Sequence, residues 1–179
     1  MKKIDFNGVE EPKEYTRLVA GGYICRITLV EDVPEKEYLK IEYDIAVGDM
    51  KDYFKNLNDA KGFWAGKFIK SYKETALSFF KGFTTAVEKS NAGYKFDNDE
   101  KKLIGKLVGL VIGEEGYIGN DGSSKNRLYV KDVRSVDSIK NGDFEVPAYK
   151  PAPAQQPSLS QANNFMPTGD ISDDEMPFR

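Results

Sequence analysis

Histidine is absent from this 179-residue chain, and Cys25 is its only cysteine. The first absence removes the commonest general base and the commonest transition-metal ligand. A single cysteine excludes an intramolecular disulfide and a cysteine-cluster zinc site. No apolar run approaches the roughly 20 residues of a membrane span, and no secretory leader is expected. Phosphate-loop and dinucleotide-binding glycine patterns are missing, and no nucleophile–base pair stands out. Asp97-Asn98-Asp99-Glu100 resembles the start of a calcium loop but lacks its glycine and later bidentate Glu, so a helix-ending turn is expected there. Glu114, Glu115 and Asp121 could share a magnesium ion, yet solvated acids are ordinary beside a hairpin. The expectation is a soluble, cytoplasmic, reduced protein that is not an enzyme and holds no metal or cofactor.

Against these absences stands an uneven charge. The chain has 29 acids and 26 bases, a net charge of −3 and an isoelectric point near 5.2. Residues 170–179 hold four acids and one base, which leaves 25 of each for the body. Within the body, residues 1–60 carry 13 acids and 9 bases, whereas 61–90 carry 2 and 6. Residues 101–140 carry 5 acids and 8 bases. A basic groove on a neutral domain fits this distribution, as does a salt-bridged surface.

Three segments follow from composition. Residues 1–150 suit one domain with a true core. Residues 151–169 are rich in Pro, Ala, Gln, Asn and Ser with few large apolar side chains, too few to offset the entropy of ordering, so a disordered linker is expected. Residues 170–179 end the chain with Asp173, Asp174, Glu175, Pro177 and Phe178, an acidic cluster with one exposed ring. Such a tip suits a pocket with a basic rim. It resembles the acidic C-terminal tail of bacterial single-stranded-DNA-binding proteins, which docks replication and repair enzymes. That resemblance implies charge from Asp173, Asp174 and Glu175, a turn at Pro177 and an anchor at Phe178. One departure is visible: Arg179 follows the Phe and carries the terminal carboxylate.

Periodicity supplies the elements of the body. Gly22–Val30 and Tyr38–Val47 read as strands, the second with Leu39, Ile41, Tyr43, Ile45 and Val47 on one face and Tyr38, Lys40, Glu42 and Asp44 on the other. Asp49–Lys61 reads as loop around a possible short helix bearing Tyr53, Phe54 and Leu57. Phe63–Tyr72 reads as a third strand, and Thr75–Lys89 as an amphipathic helix. Leu103–Ile112 and Arg127–Val136 complete the set around a Gly119–Gly122 turn. Strand, strand, strand, helix, strand, strand is the order of a five-stranded oligonucleotide/oligosaccharide-binding (OB-fold) barrel with its helix between strands 3 and 4. The expected fold is therefore mainly β, although other small barrels share the count.

Binding single-stranded nucleic acid needs cations for phosphates and rings for bases. The third strand offers Trp64, Phe68, Lys70 and Tyr72 on one face, Lys67 opposite and Lys73 just beyond. The last strand offers Arg127, Tyr129 and Lys131 in one row, with Lys125 on the preceding turn. Tyr38 and Lys40 lie opposite the apolar row of the second strand. Trp64 and Phe68 suit a core equally well.

The runs Phe63–Lys73, Phe79–Phe83, Leu103–Glu115 and Arg134–Val136 together resemble a family of small proteins from replication and recombination regions of phages of Gram-positive bacteria. Some of these are regarded as phage single-stranded-DNA-binding proteins. The resemblance spans about residues 1–147 and implies an OB-fold that coats single-stranded DNA, with replication and recombination proteins as partners of the tail. A protein-interaction adaptor without nucleic acid is the alternative, favoured by the neutral body.

Overall fold

The structure, a computed structural model, describes residues 16–153. Five strands form one antiparallel sheet: β1 (Gly21–Val33), β2 (Tyr38–Ile45), β3 (Lys67–Ser71), β4 (Leu107–Ile118) and β5 (Ser124–Arg134). Their order across the sheet is β3-β2-β1-β4-β5. Three helices accompany them, α1 (Tyr53–Lys61), α2 (Leu77–Ser90) and α3 (Val136–Asn141). No helix among the described residues is long and apolar enough to cross a membrane.

β1 is the hub because it pairs on both sides. Gly21–Arg26 face β4, and Cys25–Val33 face β2. The β2 register shifts between Ile27 and Leu29, and Ile27, which stays opposite Tyr43, exchanges backbone hydrogen bonds with Gly105 and Lys106 (2.8 and 3.0 Å). An extra residue of this kind bends a strand and increases its twist. A second register shift, between Val111 and Ile112, bends the β4–β5 ladder.

One sheet face carries the apolar row of every long strand. Cys25, Ile27, Leu39, Ile41, Tyr43, Val108, Leu110 and Ile112 are buried together with Phe83 and Val87 of α2. Each such side chain contributes about 1.5–3 kcal/mol on burial. α2 packs on β3, β4 and β5, so it reaches both edges of the sheet. That contact requires the sheet to curl. β3 and β5 nevertheless do not pair, and the curled sheet stays open between them. At the end of α2, the Asn91 amide accepts from Leu107 N–H (3.0 Å) and donates to Leu107 O and Val87 O (2.8 and 2.7 Å), tying the helix to β4.

Several boundaries differ from the sequence-based expectation. The third strand begins at Lys67, not Phe63, because Gly66 packs against Tyr43 O and the Phe54 ring where the chain turns in. Asp44 is buried, not exposed. Its carboxylate accepts from the N–H groups of Ile45, Phe54 and Lys55 (2.8, 2.8 and 3.0 Å). It thereby satisfies the first turn of α1 from outside the helix, as an N-cap does. The fourth strand is displaced toward the C-terminus, with Leu103 buried in a 3-10 turn (Glu100–Leu103) before it. Asp99 caps that turn by accepting from Lys101 N–H, so the Asp97–Glu100 stretch begins a helical turn and does not end one. α3 was not expected at all.

Replacing Asp44 by Ala leaves three backbone donors without their acceptor, at about 1–3 kcal/mol for each one left unsatisfied. The expected loss in urea unfolding is about 3 kcal/mol, with α1 melting first. A loss below about 0.5 kcal/mol would contradict the cap.

Candidate nucleic-acid interface

Where the sheet fails to close lies a cleft of about 750 Å³. One wall is Lys67–Lys70 of β3, the other is Arg127–Val130 of β5. Its floor extends onto the outer face of β1 and β2 at Leu29, Glu31, Lys40 and Glu42. Runs of consecutive residues on both walls mean that edge backbone, not only one side-chain face, lines the opening.

The ladders indicate where that backbone points. Tyr43 N–H donates to Gly66 O and Tyr72 N–H to Glu37 O, which makes these the hydrogen-bonded positions of the β2–β3 ladder. Alternation then turns the N–H and C=O of Ile69 away from β2. On β4, Gly116 N–H donates to Lys150 O, and Glu114 O accepts from Lys150 N–H, so both groups face away from β5. Their opposites Asn126 and Leu128, and by the same alternation Val130, direct their backbone away from β4. Ile69, Leu128 and Val130 therefore bring open donors and acceptors to the cleft.

Charge is mixed at this opening. Lys40 pairs with Glu31 (3.2 Å) and Arg127 with Glu115 (2.8 Å), while Lys67 and Lys70 make no ion pair among the described residues. Burial pushes the Lys70 ammonium below its ordinary pKa, and Asp132 of β5 partly offsets this. Residues of both edges line the one cleft. Lys70 Nζ lies 5.9 Å from the centre of the Phe68 ring, and the ring packs inward on Tyr43 and Phe83.

Six of the twelve expected contacts meet here: Lys40, Lys67, Phe68, Lys70, Arg127 and Tyr129. Phe68 faces the core and offers the cleft its edge position more than its ring. Lys131 stands further along β5, at the bulge, and the regular Arg127-Tyr129-Lys131 alternation breaks there: Val111 pairs with Asp132 and Ile112 with Val130. Trp64 precedes β3, donates its indole N–H to Gly66 O (3.0 Å) and packs against the core. Tyr72 packs on Phe80 and donates its hydroxyl to Asp32 (2.7 Å). Tyr38 and Lys73 line neither this cleft nor a second groove beside it. Lys125 belongs to β5, not the turn, and pairs with Asp121 (2.9 Å). That contact leads in pushing the Asp121 carboxyl down to about 2.

Glu114 pairs with Arg17, Glu115 with Arg127 and Asp121 with Lys125, so each acid of the magnesium reading already has a cationic partner. Asp173, Asp174, Glu175, Pro177 and Phe178 lie outside the described residues. No protein-family model matches the chain, and no curated protein matches it in sequence.

Sequence reasoning did not place Glu31, Glu42 and Glu115 at the cleft, nor residues 144–150 beside β5. The Glu115–Arg127 pair is a cross-strand neighbour that only the register reveals.

The hydrogen bond to Asp32 pushes the Tyr72 hydroxyl up to about 12. An acid whose folded pKa is raised holds its proton more tightly when folded, so this contribution is complete below the ordinary value near 10 and is lost as pH rises through about 12. Burial also raises Tyr23, Tyr43 and Tyr94, so carbon-13 NMR of ring-labelled tyrosine should show several late titrations, of which the Tyr72 one alone moves back toward 10 in Asp32→Asn. An unchanged set of tyrosine titrations would contradict the assignment.

Proposed function

We propose that this chain binds single-stranded DNA in the cleft between β3 and β5, coating the strand during phage DNA replication and recombination. The observation that carries the reading is a convergence. Lys67, Lys70 and Arg127, the Tyr129 ring and the open N–H groups of Ile69, Leu128 and Val130 share one opening. Cations and backbone N–H groups position phosphates, and aromatic faces receive bases without regard to sequence.

The topology supports it. β1 between β2 and β4, with β3 beside β2 and β5 beside β4, agrees with the strand order of an OB-fold barrel, in which β3 and β5 would also pair. OB-fold proteins bind oligonucleotides over the face around strands 2 and 3, where Lys40, Lys67 and Ile69 project here. The sequence resemblance points the same way. In this reading the acidic tip of residues 170–179 recruits replication and recombination proteins.

The adaptor reading draws on a different observation: Glu31, Glu42 and Glu115 share the cleft with its bases. Salt separates the two, because each phosphate neutralised on a single strand contributes about −0.7 to the slope of log affinity against log salt.

Fluorescence anisotropy with oligo-dT of about 30 nucleotides across a salt series tests the proposal. Binding should weaken steeply with salt and be far weaker to duplex. Lys67→Gln should reduce the slope by about 0.7. Trp64 emission should change little, because that indole lies off the cleft. Lys70→Met should raise the urea midpoint while weakening DNA binding, since the site retains a half-buried charge that the fold alone disfavours. Absence of binding at low salt would overturn the DNA reading and leave the adaptor.

A further inference from the structure

Beyond the cleft, β5 borders a second opening. After α3 the chain returns over the outer face of the sheet as a strap, residues 144–152. Phe144 covers Gly22 so closely that a Cβ there would stand 2.4 Å from its ring. Lys150 joins β4 as a parallel bridge to Glu115, accepting from Gly116 N–H (2.7 Å) and donating to Glu114 O (3.3 Å). Between strap and β5 is a groove of about 630 Å³.

Tyr129 lines both the cleft and this groove. Its ring lies against Gly113, where a Cβ would be 2.6 Å from it, and Lys150 Nζ lies 5.3 Å from the ring centre. The Tyr129 hydroxyl is buried with no hydrogen-bond partner among the described residues. Arg127 belongs to the cleft and Lys131 to the groove, so the side chains on either side of Tyr129 lead from one opening into the other. Four residue steps of strand span them, at most about 13 Å because Lys131 sits at the bulge. In the groove Arg134 is held by Asp132 (2.7 Å), and Glu145 is the other acid. Lys131 and Lys150 make no ion pair among the described residues, and Tyr149 is 51% exposed.

We infer that a bound strand does not end in the cleft but crosses Tyr129 into the strap groove, with Lys131 and Lys150 on phosphates and the Tyr149 ring stacking on a base. This rests on the single-stranded-DNA reading and extends that site to residues beyond the β-sheet. The strap is then part of the binding surface, and not only the start of a linker.

The test uses the full chain and oligo-dT of about 30 nucleotides. Tyr149→Ala should weaken binding about tenfold, within the range for loss of one base stack. Tyr149→Phe, which removes only the hydroxyl that donates to Asn126 (3.0 Å), should bind as the parent does. Lys150→Gln should lower the salt slope by about 0.7. Parent-like affinity and slope in both Tyr149→Ala and Lys150→Gln, while Lys67→Gln weakens binding, would overturn the extended track and leave the cleft. An equal loss in Tyr149→Phe would overturn the stacking role. If the parent protein itself does not bind, the DNA reading fails and the track fails with it.

Discussion

One helix in contact with both edges of a single sheet is the constraint on which this structure depends. α2 touches β3 and β5, which stand at opposite ends of the strand order, so the sheet between them must curl. The curl is made possible by bulges in the β1–β2 and β4–β5 ladders and is stabilised by the apolar rows that it encloses. Because the edges approach without pairing, the opening left over is bordered by unpaired backbone. Free edges invite unwanted strand pairing, and charge is one of the usual defences. Here β3 is five residues long and carries Lys67 and Lys70, so its charge serves both as that defence and as a candidate phosphate contact.

The exposed ion pairs at the cleft contribute little to stability. Exposed ion pairs such as Lys40–Glu31 contribute at most about 1 kcal/mol, so a phosphate can replace the carboxylate at small cost. Lys70 is different: its half-buried ammonium is disfavoured by the fold itself. Residues that break the local rules of stability are where function is first sought. Tyr129 fits the same logic, since its buried hydroxyl has no partner among the described residues and its ring stands at the junction of two openings.

Much of the fold was legible in the sequence because strand periodicity reports burial directly. The alternation of Leu39, Ile41, Tyr43 and Ile45 located β2, and Leu77–Val87 located α2. The misreadings come from contacts distant in the chain. Asp44 looks like a solvent-facing strand residue until Phe54 and Lys55 are brought to it. Trp64 looks like strand until Gly66 packs against Tyr43 and Phe54. The strap carries no periodicity, because its anchors are a glycine at position 22 and a β4 edge. For the site, residue types were legible but their grouping was not: Lys40, Lys67 and Arg127 come together only through a strand order that links β3, β2, β1, β4 and β5.

The most direct test of the central claim is an amide-resolved NMR titration of the nitrogen-15-labelled full chain with oligo-dT. The account predicts that the largest shifts map to residues 67–70 of β3 and 127–131 of β5, with the exposed surface of α2 little affected. Shifts confined to helical surfaces, or none at low salt, would contradict it.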